Sequence, residues 1–130
     1  SWGSGSVVLS WAHVMSGPAC PDDGRNLVIH EFAHQLDQFD GRGDGLPVLK
    51  SRGDYPEWAE TMKASYQKLR ARVERGARTV LDDYGATNPA EFFAVATETF
   101  FEKPRQLARE HQGVYEQMKR FYGLDPLEWE

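Results

Sequence analysis

Two histidines and a glutamate stand in the order His30, Glu31, His34 inside the run "LVIHEFAHQLD". On an α-helix, residues four apart lie one above the other, so both imidazoles project from one face with Cβ atoms about 5 to 6 Å apart. That spacing lets two ring nitrogens converge on one zinc ion at about 2.0 to 2.1 Å each. Glu31 follows His30 by one residue, about 100° round the helix. Its carboxylate falls beside such an ion rather than on it, where it can take a proton from a zinc-activated water. This is the H-E-x-x-H pattern of zinc metallopeptidases. The neighbours Val28, Ile29, Phe32, Ala33 and Leu36 are apolar. Unpaired His and Glu buried among them would cost on the order of several kcal/mol, and a metal removes that cost.

A catalytic zinc usually has three protein ligands and one open position, so a third ligand is needed. Asp40 follows His34 by six residues, the interval used in H-E-x-x-H-x-x-G-x-x-H proteins. The glycine that turns the chain back in those proteins is replaced here by Asp37, and Asp40 fits better in the turn "FDGRGDG". Glu91 lies 57 residues after His34, in the first turn of a separate helix within "TNPAEFFAVATETFFEKP", and would complete a His, His, Glu site. Glu98, seven residues further on, shares the face of Glu91 and competes with it on spacing alone. Asp37 and Glu98 are also candidates to accept the free N–H of a zinc-bound histidine and fix its tautomer. His13 and His111 lack metal-ligand spacing and read as ordinary polar residues. Cys20 sits in the loop "GPACPDDG" with no Cys-His signature around it, so no nucleophilic role is expected.

These side chains need helices to carry them. Asp22 or Asp23 is a suitable N-cap for a helix from about Gly24 to Gln38, ended by the glycines of "DGRGDGLP". Pro56 opens a second helix to about Arg75, with Trp58, Met62, Tyr66, Leu69 and Val73 recurring as a core stripe. Asn88 as N-cap and Pro89 in the first turn start a third helix, which runs to Glu102 ahead of Pro104. Its Phe92, Phe93, Phe100 and Phe101 read as core-facing. Shorter helices are expected at about Pro104 to His111 and Val114 to Tyr122. Ser6 to Trp11, "SVVLSW", reads as one short edge strand, paired with a weak strand at Arg78 to Leu81 or with chain outside this sequence. The expected class is mainly α with a little β (α+β).

At 130 residues the chain fits one domain. A hydrophobic content of 40% with 27% charged residues suits a soluble protein, and no apolar run approaches the roughly 20 residues of a membrane span. The net charge of −5 argues against direct nucleic-acid binding. Lys68, Arg70, Arg72 and Arg75 read as the solvated side of the second helix. One cysteine excludes an internal disulfide and, with no signal-like segment, points to the cytoplasm. The start "SWGSGS", without Met, reads as a cut or tagged end, beyond which any N-terminal signal or further domain would be invisible.

The segments "VVLSW", "NLVIHEFAHQLD", "DGLP" and "YGATNPAEFFAVATETFFEKP" together resemble the Mlc titration factor A family of bacterial zinc peptidases, whose catalytic domain is similar to that of anthrax lethal factor. The resemblance spans about positions 7 to 104 and implies a single zincin-like catalytic domain over 1–130. It implies zinc bound by His30, His34 and Glu91, with Glu31 as general base. It also implies that Tyr84, seven residues before Glu91, donates to the oxyanion of the tetrahedral intermediate; from its own context Tyr84 reads as a packing residue.

The function expected is a zinc-dependent peptidase acting on peptide substrates, with an aminopeptidase-like preference as one form of it. An extended substrate could add as a strand along Val7 to Trp11. The alternative is a regulatory protein that sequesters an Mlc-like transcriptional repressor, with catalysis secondary or absent. A purely structural zinc site fits poorly, because such sites usually have four protein ligands and would leave Glu31 without a purpose.

Overall fold

The computed structural model describes residues 27–37, 45, 47–49 and 51–129. Among the described residues five α-helices follow one another: α1 (Leu27–Asp37), α2 (Tyr55–Glu74), α3 (Pro89–Glu102), α4 (Pro104–Glu110) and α5 (Gln112–Tyr122). Short 3-10 turns at Arg52–Asp54, Asp83–Ala86 and Pro126–Trp129 punctuate them. No strand occurs among the described residues, so the architecture seen there is helical. The expected strand at Ser6 to Trp11 lies outside the described residues. The expected strand at Arg78 to Leu81 is corrected: this stretch is irregular. Its polar groups are taken locally, since the Val80 amide donates to the Glu110 carboxylate at 3.3 Å and the Thr79 hydroxyl donates to the Leu81 carbonyl.

The centre of the fold is α3. Asn88 is extended, its side chain accepts from the Glu91 amide at 2.9 Å, and Pro89 occupies the first turn, so the helix starts where both signals meet. Pro104 follows directly after Lys103 and prevents continuation. Every residue from Phe92 to Glu102 is buried, as expected of a helix apolar on nearly all sides and wrapped by its neighbours. Phe92, Phe93, Phe100 and Phe101 are in the core, as their apolar character requires.

Around this axis, α1 packs on α3, while α2 and α5 pack against each other and α5 also against α4. The stripe of α2 turns inward as its spacing dictates, with Trp58, Met62 and Leu69 buried and Tyr66 and Val73 packed against the core edge. Trp58 meets Phe93 and Phe121, and Tyr122 meets Phe100 and Phe101, so aromatic contacts join α2 and α5 to α3. The Asp83–Ala86 turn is wedged between α2 and α3. A Cβ on its Gly85 would stand 3.2 Å from Val95 and 3.3 Å from Leu69, so the close approach of that turn suits glycine. No helix among the described residues is long and apolar enough to cross a membrane.

Candidate metal centre

The first half of the site is built by α1. Ile29, Ala33 and Leu36 bury one stripe of the helix, Glu31 and Gln35 are exposed, and the histidines lie between. His30 is buried and His34 half-buried, with ring centroids 4.8 Å apart. Packing of α1 on α3 then brings in the second half. The Oε1 atom of Glu91 lies 2.9 Å from His30 Nε2 and 3.0 Å from His34 Nε2, and the two Nε2 atoms are 3.2 Å apart. Among the described residues, these three form a group able to hold a metal ion.

Ligand atoms at about 2.0 to 2.1 Å from a tetrahedral zinc stand roughly 3.3 Å from one another. The observed triangle has sides of 2.9, 3.0 and 3.2 Å, close to that value. Protons satisfy the same triangle less well. A proton on an Nε2 atom can lie along one side, but the 3.2 Å His30–His34 side sets two ring nitrogens against each other while both also face one carboxylate oxygen. Two imidazole nitrogens and one carboxylate oxygen are a zinc donor set. The residues therefore fit the ion on geometry and on chemistry.

Glu98 and Glu91 divide the ring of His30 between them. Glu98, buried one helical stretch further along α3, is hydrogen-bonded to His30 Nδ1, the ring edge opposite the one facing Glu91. The competition left open by spacing is thus resolved by packing: Glu91 meets both Nε2 atoms and Glu98 meets Nδ1 of one ring. Burial works to lower the pKa of His30, but the hydrogen bonds and charges of Glu98 and Glu91 outweigh it and raise the value. Burial likewise works to raise Glu91, and its bonds to His30 and His34 bring it below the ordinary carboxylate value. The cluster favours a deprotonated carboxylate against a proton-holding imidazole, and a metal ion would displace that proton.

Tyr84 stands at the mouth of the cluster. The Asp82 side chain accepts from the Tyr84 amide at 2.9 Å and sets the 3-10 turn that presents the ring. The Tyr84 hydroxyl donates to Glu91 Oε2 at 3.4 Å, the oxygen turned away from the histidines, and the ring lies 6.1 Å from that of His30. The residue is 50% exposed, so it faces both the cluster and solvent. Glu31, adjoining His30 in the chain, is exposed on α1.

Asp37, the other candidate for an outer histidine partner, is buried and meets the backbone of Gly45. Both of its carboxylate oxygens accept from the Gly45 amide at 2.8 Å. Asp40, Cys20 and His13 lie outside the described residues. His111 is distant in role from the cluster: it is buried, with Nδ1 paired to the Ser65 hydroxyl at 3.1 Å. The contact of Asp37 with Gly45 has no signature in sequence, because the donor is a backbone amide.

The family model described as Glucose-regulated metallo-peptidase M90 matches residues 1–123. An uncharacterized protein of Synechocystis sp. is 44% identical over 128 residues, covering 98% of this chain and 46% of that protein. Mlc titration factor A of Serratia proteamaculans is 37% identical over 130 residues, covering 98% of this chain and 48% of the relative. Mlc titration factor A of Escherichia fergusonii is 34% identical with the same coverage. The chain thus spans about half the length of the curated relatives it matches. On the family match across nearly its whole length, the chain belongs to the glucose-regulated metallo-peptidase family.

Proposed function

We propose that the chain carries the zincin-like catalytic domain of a zinc-dependent peptidase, with His30, His34 and Glu91 as metal ligands, Glu31 as general base and Tyr84 as oxyanion donor. The observation that carries this reading is the triangle of His30 Nε2, His34 Nε2 and Glu91 Oε1, with sides of 2.9 to 3.2 Å. When bound, zinc supplies Lewis acidity and makes water nucleophilic near neutral pH. A water then attacks the peptide carbonyl carbon while Glu31 takes its proton. The Tyr84 hydroxyl, at the open side of Glu91, turns its proton toward the carbonyl oxygen as negative charge develops there. The C–N bond breaks, and Glu31 returns the proton to the leaving nitrogen, giving a free carboxylate and a free amine. Glu98 holds His30 from behind, which fixes the tautomer that offers Nε2 to the metal.

Exposure of Glu31 and Tyr84 leaves the cluster open to an extended peptide, with an aminopeptidase-like preference as one form of this activity. The one cysteine supports a reducing compartment, the cytoplasm. The Glu31→Gln variant should bind zinc as the wild type does yet lose hydrolysis of amino-acid and peptide reporters by about 10²-fold or more. Undiminished turnover by that variant would overturn the role given to Glu31.

The name of the relatives favours a second reading. Proteins called Mlc titration factor A align over 98% of this chain, which supports a protein that also binds an Mlc-like repressor. A pull-down with wild type and with Glu31→Gln separates the two functions. Repressor capture that survives loss of hydrolysis means that binding and catalysis are independent.

A further inference from the structure

We propose that Asp37 and Gly45 form a clamp between α1 and α3 that sets the separation of His34 and Glu91 and so preorganises the metal ligands. This role rests on the zinc centre proposed above, and the clamp residues are positioning residues, not ligands.

Asp37 lies on α1, one turn beyond His34. Asp37 is fully buried, where an unpaired carboxylate is costly. The Gly45 amide, 2.8 Å from both carboxylate oxygens, shares its one N–H between them and offsets part of that cost. Gly45 has φ +82°, a left-handed conformation that favours glycine. A Cβ there would lie 2.5 Å from the Pro89 carbonyl oxygen and 2.8 Å from its carbon, so Gly45 presses its bare backbone against the start of α3.

Pro89 is the first residue of α3 and stands two residues before Glu91. The path from ligand to ligand is therefore short and stiff: a helical turn from His34 to Asp37, an amide N–H shared by both carboxylate oxygens, a side-chain-free contact, and a proline with fixed φ. The Asn88 cap holds the far end, because it accepts from the amide of Glu91 itself. Adding a methyl group at Gly45 would push the first turn of α3 away from α1, and removing the Asp37 carboxylate would release Gly45. Either change acts on the 3.0 Å separation of His34 Nε2 and Glu91 Oε1 without touching a ligand.

The test is zinc affinity, measured on the full chain by competition with a chromophoric chelator, well below the melting temperature of each metal-free variant. Asp37→Ala and Gly45→Ala should weaken zinc binding by about tenfold or more, as loss of outer partners of a metal site does. Asp37→Asn keeps an oxygen acceptor for the Gly45 amide and should stay within a few-fold of wild type. A merely structural role would lower the melting temperature and leave the affinity of the folded protein unchanged. Folded Asp37→Ala and Gly45→Ala variants that bind zinc within twofold of wild type would overturn the clamp. If Asp37→Ala does not fold, Gly45→Ala against Asp37→Asn decides the matter by the same criterion. His34→Ala is the control for the site itself: wild-type affinity in that variant would overturn the zinc centre, and the clamp with it.

Discussion

Glu98 is hydrogen-bonded to Nδ1 of His30, on the ring edge opposite the one that faces Glu91. An imidazole held this way has one tautomer available to a metal, because its Nδ1 proton is committed to the carboxylate. Glu98→Ala should weaken zinc binding by about 10- to 100-fold, read by the same chelator competition. Glu98→Gln, whose amide oxygen still accepts a hydrogen bond, should lose less. Equal affinity in wild type and Glu98→Ala would remove Glu98 from the working site.

Tyr84 donates to the outer oxygen of Glu91 at 3.4 Å, a long bond that is easily given up. Its value to a reaction is therefore expected when charge develops on the substrate oxygen rather than in the resting site. Tyr84→Phe should lower kcat by about 10²-fold with little change in KM and little change in zinc affinity. A rise in KM at constant kcat would mean that the hydroxyl serves substrate binding instead.

His111 gives a prediction about stability against pH. Burial first, and then the charges of Lys68 and Arg72 against the opposing Glu110, push its pKa from 6.5 down to about 4. A depressed histidine pKa means that the unfolded chain takes up the proton first. Its contribution is present above pH 6.5 and is lost as pH falls toward 4, roughly 3 kcal/mol across the whole window. Urea unfolding with a chelator present, so that the metal centre does not contribute, should show this fall in wild type. A His111→Gln variant should show a flatter profile over the same window, and parallel profiles would count against the assignment.

The helix-borne half of the site was legible because its information is local. The i, i+4 spacing of His30 and His34 is a property of one helix, and the Asn88–Pro89 pair marks the start of α3 in two adjacent letters. Glu91 and Glu98 could not be told apart in the same way, since they share a face of α3 and only the packing of α1 decides which ring edge each one meets. Tyr84 was visible through resemblance alone. Its position depends on a 3-10 turn set by the Asp82 side chain and on a glycine fitted between two helices. The strand expected at Arg78 to Leu81 failed for a related reason: a β-branched stretch forms a strand only with a partner, and here Glu110 takes its amide. The pairing of Asp37 with Gly45 is a side chain meeting a backbone amide, which leaves no pattern of residue types to find.

The central claim is that His30, His34 and Glu91 hold one zinc ion. A crystal of the chain grown with zinc, measured on both sides of the zinc absorption edge, tests it most directly. The prediction is one strong anomalous peak within about 2.0 to 2.2 Å of His30 Nε2, His34 Nε2 and a Glu91 oxygen. A saturating zinc concentration that gives no peak there, or a peak bound by other residues alone, would contradict it.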